Sequence, residues 1–171
     1  MLRILAAFIF FTRLPFWRLA EVPSEYFKNV VSRWALVGWL TAGLSVIVLY
    51  TASLILPASV AVLLAIVTRL LITGCLHEDG LADFFDGFGG GTSRERILSI
   101  MKDSHIGSYG VIGLILYFAL LYTLLSSLPL TLAGSAILAG DPLSKGVAGM
   151  IINRQGRRGQ KQNGLQPDDY K

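Results

Sequence analysis

The sequence predicts an all-α protein that crosses a membrane several times. Of its 171 residues, 53% are hydrophobic and only 15% are charged, and the mean hydropathy is +0.60. A soluble domain carries about 25% charged residues. Long uncharged segments flank one stretch, residues 75–110, that is rich in charge and glycine. We therefore expect a polytopic protein with about three to four transmembrane helices, an N-terminal interfacial or re-entrant helix, and a cytoplasmic acidic helix–loop–helix.

The N-terminal segment, residues 1–19, contains an apolar run that Arg13 and Pro15 interrupt. The run of about twelve apolar residues is too short to span a bilayer, which takes about 20 residues in a helix. It also lacks the small-residue cleavage site of a signal peptide. We therefore expect an uncleaved interfacial or re-entrant helix, with Phe16 and Trp17 at the level of the lipid headgroups. A plain membrane anchor is the alternative.

A helical hairpin is expected next. Residues 34–56 contain no charged residue and are long enough to span the membrane, and residues 60–76 return after a short turn at Pro57. The second segment carries Arg69, and a guanidinium within a span is costly unless it meets water, a carboxylate or an anionic ligand. Structural pairing or snorkelling is slightly favoured over a ligand contact for this arginine.

Two further apolar segments precede the C-terminus. Residues 111–125 predict another span, and the uncharged segment extends to residue 132, which is the alternative end of the span. Residues 133–153 are less apolar and are expected to be broken at Gly140–Asp141–Pro142. Residues 1–153 are therefore expected to form a single membrane-embedded catalytic domain. Residues 154–171 contain one aliphatic residue and no hydrophobic periodicity, which predicts a disordered basic tail.

Charge placement predicts the orientation and the partners. Much of the net charge of +4 lies in residues 154–171 and in short segments beside apolar runs. By the positive-inside rule, the N-terminus, residues 75–110 and the tail are cytoplasmic. We interpret this charge as membrane topology, with the lipid bilayer as partner, and expect no nucleic-acid binding. The single cysteine, Cys75, excludes an internal disulfide and is expected to be a buried, inert thiol.

The candidate chemistry lies in residues 75–110. Asp79, Asp83 and Asp86 are spaced by four and three residues, which places their carboxylates within a narrow arc of one helical face at about 100° per residue. Such a cluster of oxygen ligands favours Mg²⁺ or Mn²⁺. A solvated acidic face is the alternative. His77 is expected to point away from this arc, as a substrate or outer contact, and Glu78 is the weaker ligand candidate.

A second helix is expected to follow a glycine-rich loop. Residues 87–91 should end the acidic helix and present backbone N–H groups to a phosphate, with a flexible connector as the equal alternative. Thr92 and Glu95 have the spacing of a capping box, which predicts a helix from about Ser93 towards Lys102. Arginines in its first turn oppose the helix dipole, which favours an anionic ligand there; salt bridges to the aspartates are the alternative.

These motifs resemble those of the cobalamin synthase family, the adenosylcobinamide-GDP ribazoletransferases. The resemblance lies in HEDGLADFFDG at residues 77–87, in RERILSIMKDSHIGSYG at residues 94–110, in the segment Phe10–Pro15 and in DPLSK at residues 141–145. It implies a multi-pass enzyme of the bacterial inner membrane that acts in the last steps of cobalamin assembly. The family joins α-ribazole, or its 5′-phosphate, to adenosylcobinamide-GDP, releases GMP and uses Mg²⁺. A homo-oligomer or a complex with other cobalamin-assembly enzymes is left open.

The resemblance also implies roles for individual residues. Asp79, Asp83 and Asp86 would hold Mg²⁺ against the diphosphate of adenosylcobinamide-GDP. Asp103 or His77 would orient or deprotonate the attacking ribazole hydroxyl. The expected substrate-binding residues are the polar and cationic side chains Arg94, Arg96, Lys102, Ser104, Arg13 and Arg69.

The sequence departs from the family pattern in two places. Ser144–Lys145 stands where many relatives have a serine–arginine pair, which weakens the case for bidentate phosphate binding. The family continues with further apolar spans, so we expect residues 1–153 to be an incomplete domain and the tail from about Arg154 to be a truncation or frameshift product.

Two other classes of protein are alternatives to this family. One is a CDP-alcohol phosphotransferase, although Phe84–Phe85 follows Asp83 where that class has an arginine. The other is a small transporter or channel, with Arg69 and the aspartates as pathway charges.

Overall fold

The described part of the chain is built from seven α-helices and short 3₁₀ segments. The computed structural model describes the backbone of residues 1–162 and the side chains of residues 1–155. The α-helices are α1 Leu2–Phe11, α2 Trp34–Ser53, α3 Ala58–Thr73, α4 Leu76–Gly90, α5 Arg94–Ile100, α6 Ser108–Ser127 and α7 Leu130–Gln162, with 3₁₀ segments at Phe16–Arg18 and Ser24–Arg33. Within the described residues there is no strand, which confirms the all-α prediction.

The N-terminal helix α1 is ten residues long, which is too short to cross a bilayer. Its buried Ala6 and Phe11 pack in one cluster with Val30 and Val37. These contacts fold α1 against the 3₁₀ segment that leads directly into α2. The short helix was predicted; that it lies in the membrane interface stays a prediction.

Helices α2 and α3 form the expected hairpin around Pro57. Leu49 of α2 packs on Ala61, Val62 and Ala65 of α3, and small side chains allow the two helices to approach closely. Helix α3 ends three residues before the predicted limit, because Gly74 and then Cys75 adopt left-handed backbone conformations with φ of 61° and 60°.

The left-handed pair turns the chain sharply, so that α4 leaves α3 at 91°. Cys75 lies in this turn and is exposed, so the prediction of a buried thiol is wrong. Sequence alone did not reveal the turn, because cysteine rarely adopts positive φ. The exposed turn separates the apolar helix α3 from the acidic helix α4.

Helix α7 is continuous through Pro142, so the predicted break at Gly140–Asp141–Pro142 is wrong. A proline within a membrane helix is tolerated where neighbouring elements compensate for its missing N–H. Here Gly38 of α2 lets the two helices meet at the proline, since a Cβ at Gly38 would lie 2.6 Å from the Pro142 Cα. The helix also extends to Gln162, into the segment for which composition predicts disorder, and residues 163–171 lie outside the described residues.

The membrane character of the chain is evident from its helices. By length and composition, residues 24–53 and α6 could each cross a membrane, and α3 with α4 forms a third, broken span or a re-entrant loop. Residues 1–162 therefore contain two candidate spans, or three if the bent pair is one span, against an expected three to four. Large apolar side chains along α6, such as Ile115 and Leu120, are exposed, as expected for a surface that faces lipid.

Candidate active site

The acidic residues of α4 point in different directions. Asp79 is exposed and Asp83 is partly exposed, whereas Asp86 is buried against the start of α6. The two carboxylate oxygens of Asp86 accept hydrogen bonds from the backbone N–H groups of Gly107, at 2.7 Å, and Gly110, at 2.8 Å. Asp86 therefore caps α6 from another helix, because the first N–H groups of a helix have no partner within it.

The three aspartates thus do not form the predicted cluster around one metal ion. Among the described side chains, no three histidine, cysteine or carboxylate groups are placed to hold a metal. Asp79 and Asp83 remain adjacent on the outer face of α4, and neither forms a salt bridge within the described residues. The helical spacing correctly predicts that Asp79 and Asp83 share one face of α4. It does not predict that α6 covers this helix only at the turn that contains Asp86.

The glycines after Asp86 form a packing surface and not the predicted phosphate loop. Helix α4 continues through them to Gly90. A Cβ at Gly87 would lie 2.7 Å from the Met101 side chain, and one at Gly89 would lie 2.5 Å from the ring of Tyr109. The lack of side chains allows α5 and α6 to pack directly on the end of α4.

Helix α5 runs from Arg94 to Ile100, so it is shorter than expected. Its N-cap is Ser93, whose hydroxyl accepts a hydrogen bond from the Arg96 N–H at 3.2 Å. The N-cap thus lies one residue after the predicted Thr92, and because Arg96 and not Glu95 is then the third helical residue, the predicted capping box does not form. Arg94, Arg96 and Lys102 are all exposed, and no salt bridge joins them to the aspartates within the described residues.

A surface pocket of about 280 Å³ lies between α4, α5 and the start of α6. Arg96 and Asp103 line it together with the buried Asp86. Arg94, Lys102 and Ser104 are exposed nearby in sequence but do not line it. The structure thus brings three of the predicted site residues, Asp86, Arg96 and Asp103, together beside the end of α4.

Asp103 is engaged by a neighbouring histidine. Its carboxylate lies 2.6 Å from the Nδ1 atom of His105 and accepts the His105 backbone N–H at 3.1 Å. These hydrogen bonds lower the pKa of Asp103, and the same carboxylate raises the pKa of His105. A carboxylate with a lowered pKa is a weaker base, so Asp103 is better suited to orienting a group than to removing its proton.

The opposite side of α4 faces a buried polar cluster, which we define as Arg69, Glu78, Asp141 and Lys145. Arg69 donates to Glu78 Oε1 at 2.7 Å, and its other terminal nitrogen lies 4.0 Å from Asp141. Lys145 also donates to Asp141. The cluster links α3, α4 and α7, and its two cations balance its two carboxylates.

Neighbouring side chains complete the hydrogen bonds of the cluster. Arg69 donates to the Tyr117 hydroxyl at 2.8 Å, and the Thr41 hydroxyl donates to Asp141. Arg69 is thus paired structurally with Glu78, the alternative slightly favoured for it, whereas its role in substrate binding stays a prediction. Lys145 is committed to Asp141 and is 4% exposed, so it does not offer a free charge to a phosphate.

The sequence motifs indicate only part of this cluster. They make Glu78 the weaker ligand candidate and place Asp141 at a helix break, and they do not mark Tyr117. One signal was available: Arg69 and Lys145 both lie in apolar segments, and buried charges require partners of opposite sign. That rule pairs them with carboxylates such as Asp141.

A cavity of about 460 Å³ lies beside the cluster, lined in part by Trp34, His77, Glu78, Tyr117 and Lys145. We call it the aromatic cavity. The Trp34 indole N–H donates to His77 Nε2 at 3.1 Å. His77 therefore points away from the outer face, as expected, and lies with the buried cluster.

The last predicted residue, Arg13, lies at the turn between α3 and α4. Its backbone N–H donates to the Ile72 carbonyl at 2.7 Å, and its side chain packs over Gly74, where a Cβ would collide with it. Arg13 is exposed, so its charge is free to act near the beginning of α4.

Comparisons with known proteins agree with the motifs. A sequence model of the family described as cobalamin-5-phosphate synthase matches residues 3–166. The chain is 47% identical over 151 residues to the adenosylcobinamide-GDP ribazoletransferase of Shewanella putrefaciens, covering 86% of this chain and 58% of that protein. It is 44% identical over 146 residues to the protein of the same name from Shewanella oneidensis, covering 84% and 56%.

The matched region contains both sides of α4, with the outer aspartates and the buried polar cluster. The chain spans a little over half the length of the curated relatives that it matches. No solved structure matches it. Because the family model covers nearly the whole sequence, the chain belongs to the cobalamin-5-phosphate synthase family.

Proposed function

We propose that this protein joins α-ribazole, or its 5′-phosphate, to adenosylcobinamide-GDP and releases GMP. A ribose hydroxyl would attack the phosphorus on the cobinamide side of the diphosphate, the bond to GMP would break, and the hydroxyl would lose its proton. Membership of the family and the name of its relatives support this reaction. The structural observation that carries it is the pair Asp79 and Asp83, which form no salt bridge within the described residues, on a helix whose C-terminal end packs against α5 with its exposed cations.

Asp79 and Asp83 fit a divalent cation. They are four residues apart in α4, which makes them neighbours on the helix surface. Mg²⁺ is usually bound through one or two carboxylates together with substrate phosphates, so two aspartates suffice where a diphosphate supplies further oxygens. We propose Mg²⁺ for this position, with Mn²⁺ as the alternative. When bound, the ion would neutralise charge on the diphosphate.

The exposed cations suit the remaining charge of the substrate. Arg96 lines the pocket beside α4, and Arg94 is exposed in the same short helix. Guanidinium groups form strong hydrogen bonds with phosphate oxygens, so these arginines would hold the diphosphate or the departing GMP. Lys102, Ser104 and Arg13 are exposed and would add polar contacts from the neighbouring loops.

We also propose that α4 and α5 face the cytoplasm from the bacterial inner membrane. Lys28 and Arg33 precede α2, whereas the loop at Pro57 is uncharged, and the positive-inside rule then places α4 on the side of the N-terminus. Cys75 is the single cysteine and is exposed at the beginning of α4. A membrane-impermeant maleimide should label it in inverted vesicles and not in right-side-out vesicles; the reverse pattern would refute this orientation.

The function is tested by measuring GMP release from adenosylcobinamide-GDP and α-ribazole with the chain purified in lipid nanodiscs. Asp83→Asn should lower Mg²⁺-dependent release by at least about 10- to 100-fold, the loss seen when only an outer partner of a metal ligand is removed. Glu95→Gln, an exposed carboxylate on α5, is the matched control and should keep normal release. Equal release from wild type and Asp83→Asn at every Mg²⁺ concentration would contradict the metal assignment.

A further inference from the structure

A polar pocket of about 260 Å³ lies between the start of α1 and the 3₁₀ segment that leads into α2. We call it the N-terminal pocket. Two arginines line it, Arg3 from the first turn of α1 and Arg33 from the position just before α2. It shares no lining residue with the pocket beside α4, so it is separate from the site proposed for the diphosphate. The other lining residues all carry polar groups: Glu25, Tyr26, Asn29 and Ser32.

The charges of the N-terminal pocket do not cancel. Its two arginines carry two positive charges and Glu25 carries one negative charge, and neither arginine forms a salt bridge within the described residues. The pocket therefore has one excess positive charge, which the single negative charge of one phosphodiester would balance. Guanidinium groups form strong, often bidentate hydrogen bonds with phosphate oxygens. The pocket thus suits a phosphate group that carries one charge.

The N-terminal pocket lies where a charged segment meets an apolar helix. The segment Ser24–Arg33 contains three charged residues, whereas α2 contains none. Because residues 24–53 are a candidate span, the beginning of α2 is expected at the boundary between lipid headgroups and hydrocarbon. Leu36 follows Arg33 by three residues and is 40% exposed, so apolar surface lies one turn further along the helix. A phosphate bound by the arginines would therefore have room for attached acyl chains along α2.

We infer that the N-terminal pocket binds the headgroup of an anionic phospholipid, phosphatidylglycerol, with its phosphodiester between Arg3 and Arg33. Basic pockets at the cytoplasmic ends of membrane helices are typical sites for anionic headgroups. The glycerol hydroxyls would donate to Glu25, because a carboxylate only accepts hydrogen bonds. Phosphatidylethanolamine, whose ammonium cancels its phosphate charge, would leave the excess charge of the pocket unbalanced. This lipid site goes beyond the proposed reaction and does not depend on it.

The inference is tested by counting bound lipids with native mass spectrometry of the full chain in detergent micelles. Phosphatidylglycerol and phosphatidylethanolamine with identical acyl chains are titrated separately, so that only the headgroup differs. Wild type should bind one phosphatidylglycerol at least about fivefold more tightly than phosphatidylethanolamine, the effect of one unbalanced charge near a membrane surface. Arg3→Gln/Arg33→Gln should weaken phosphatidylglycerol binding at least about tenfold, because its charge-assisted hydrogen bonds are lost.

A matched control removes the same charge from the same region. Arg18→Gln/Lys28→Gln replaces two exposed cations that do not line the pocket, and it should bind phosphatidylglycerol within about twofold of wild type. Thermal unfolding confirms that both double variants are folded; if Arg3→Gln/Arg33→Gln is not, the two single substitutions replace it, and each should give part of the loss. Equal affinity of wild type for the two lipids, or equal losses in the two double variants, would overturn the inference. Displacement of phosphatidylglycerol by millimolar inorganic phosphate would also overturn it, since the pocket would then be a site for free phosphate.

Discussion

The most informative substitution is Asp86→Asn, because it separates a structural aspartate from the two that face outward. Asp86 satisfies two backbone N–H groups at the start of α6, at 2.7 and 2.8 Å, and is 7% exposed. An asparagine keeps one acceptor oxygen but turns an NH₂ group towards the second N–H. The loss of a helix cap costs about 0.5–2 kcal/mol and a buried unsatisfied donor about 1–3 kcal/mol.

We therefore expect Asp86→Asn to lower the free energy of unfolding by about 2–3 kcal/mol. Asp83→Asn, on the outer face, should change it by less than about 0.5 kcal/mol. Chemical unfolding in mixed micelles, followed by circular dichroism, measures both values. GMP release is then measured against Mg²⁺ concentration for each variant.

The two variants should differ in their Mg²⁺ dependence as well. At temperatures where Asp86→Asn remains folded, it should release GMP with the same half-saturating Mg²⁺ concentration as wild type, whereas Asp83→Asn should require far more Mg²⁺. If Asp86→Asn were as stable as wild type and shifted the Mg²⁺ requirement, Asp86 would be a metal ligand. The capping role assigned to it would then be refuted.

Three further predictions concern packing, the buried charges and the loop after α5. Gly113→Ala should destabilise the protein by about 1–3 kcal/mol, because the new Cβ would overlap the Phe85 ring. Gly80→Ala is the matched control: no neighbouring atom lies within 4 Å of the position of its Cβ, so it should stabilise α4 by up to about 1 kcal/mol in the same unfolding assay. Lys145→Met should cost about 3–5 kcal/mol by leaving Asp141 short of a cation, and adding Asp141→Asn should recover much of that loss; no recovery would contradict the pairing. Asp103→Asn should lower the raised pKa of His105 towards its ordinary value in an NMR titration. In wild type, the contact should stabilise the fold fully below the ordinary histidine pKa, and this stabilisation should be lost as the pH rises through the raised pKa of His105.

The apolar helices could be predicted from the sequence because hydropathy reports on them directly. Helices α2 and α6 begin or end within a few residues of the apolar segments that predict them. The continuity of α7 could not be predicted in this way. By local propensity, Asp141 and Pro142 predict a break in the helix. A continuous helix is favourable there because Gly38 packs against Pro142 and Lys145 pairs with Asp141.

The location of the candidate site could be predicted from the sequence. Which carboxylates of α4 face outward and which bind neighbouring helices could not. Periodicity indicated which residues share a face of α4, and the structure agrees for Asp79 and Asp83. It could not indicate that a second helix begins beside Asp86, because that contact joins residues 21 and 24 positions apart. Glu78 was undervalued for the same reason: its partner Arg69 lies beyond a 91° turn that only Gly74 and Cys75 make possible.

The four carboxylates of α4 therefore divide into two pairs, and this division accounts for more carboxylates than the proposed Mg²⁺ would need. Glu78 and Asp86 face inward at the two ends of the helix, where they bind Arg69 of α3 and the first N–H groups of α6. Side chains that must bind a ligand are held more precisely on a helix fixed at both ends. The inward pair thus fixes the position of the outward pair, Asp79 and Asp83. Loss of either inward carboxylate should then lower the rate of GMP release without changing the half-saturating Mg²⁺ concentration, because neither side chain belongs to the proposed metal site.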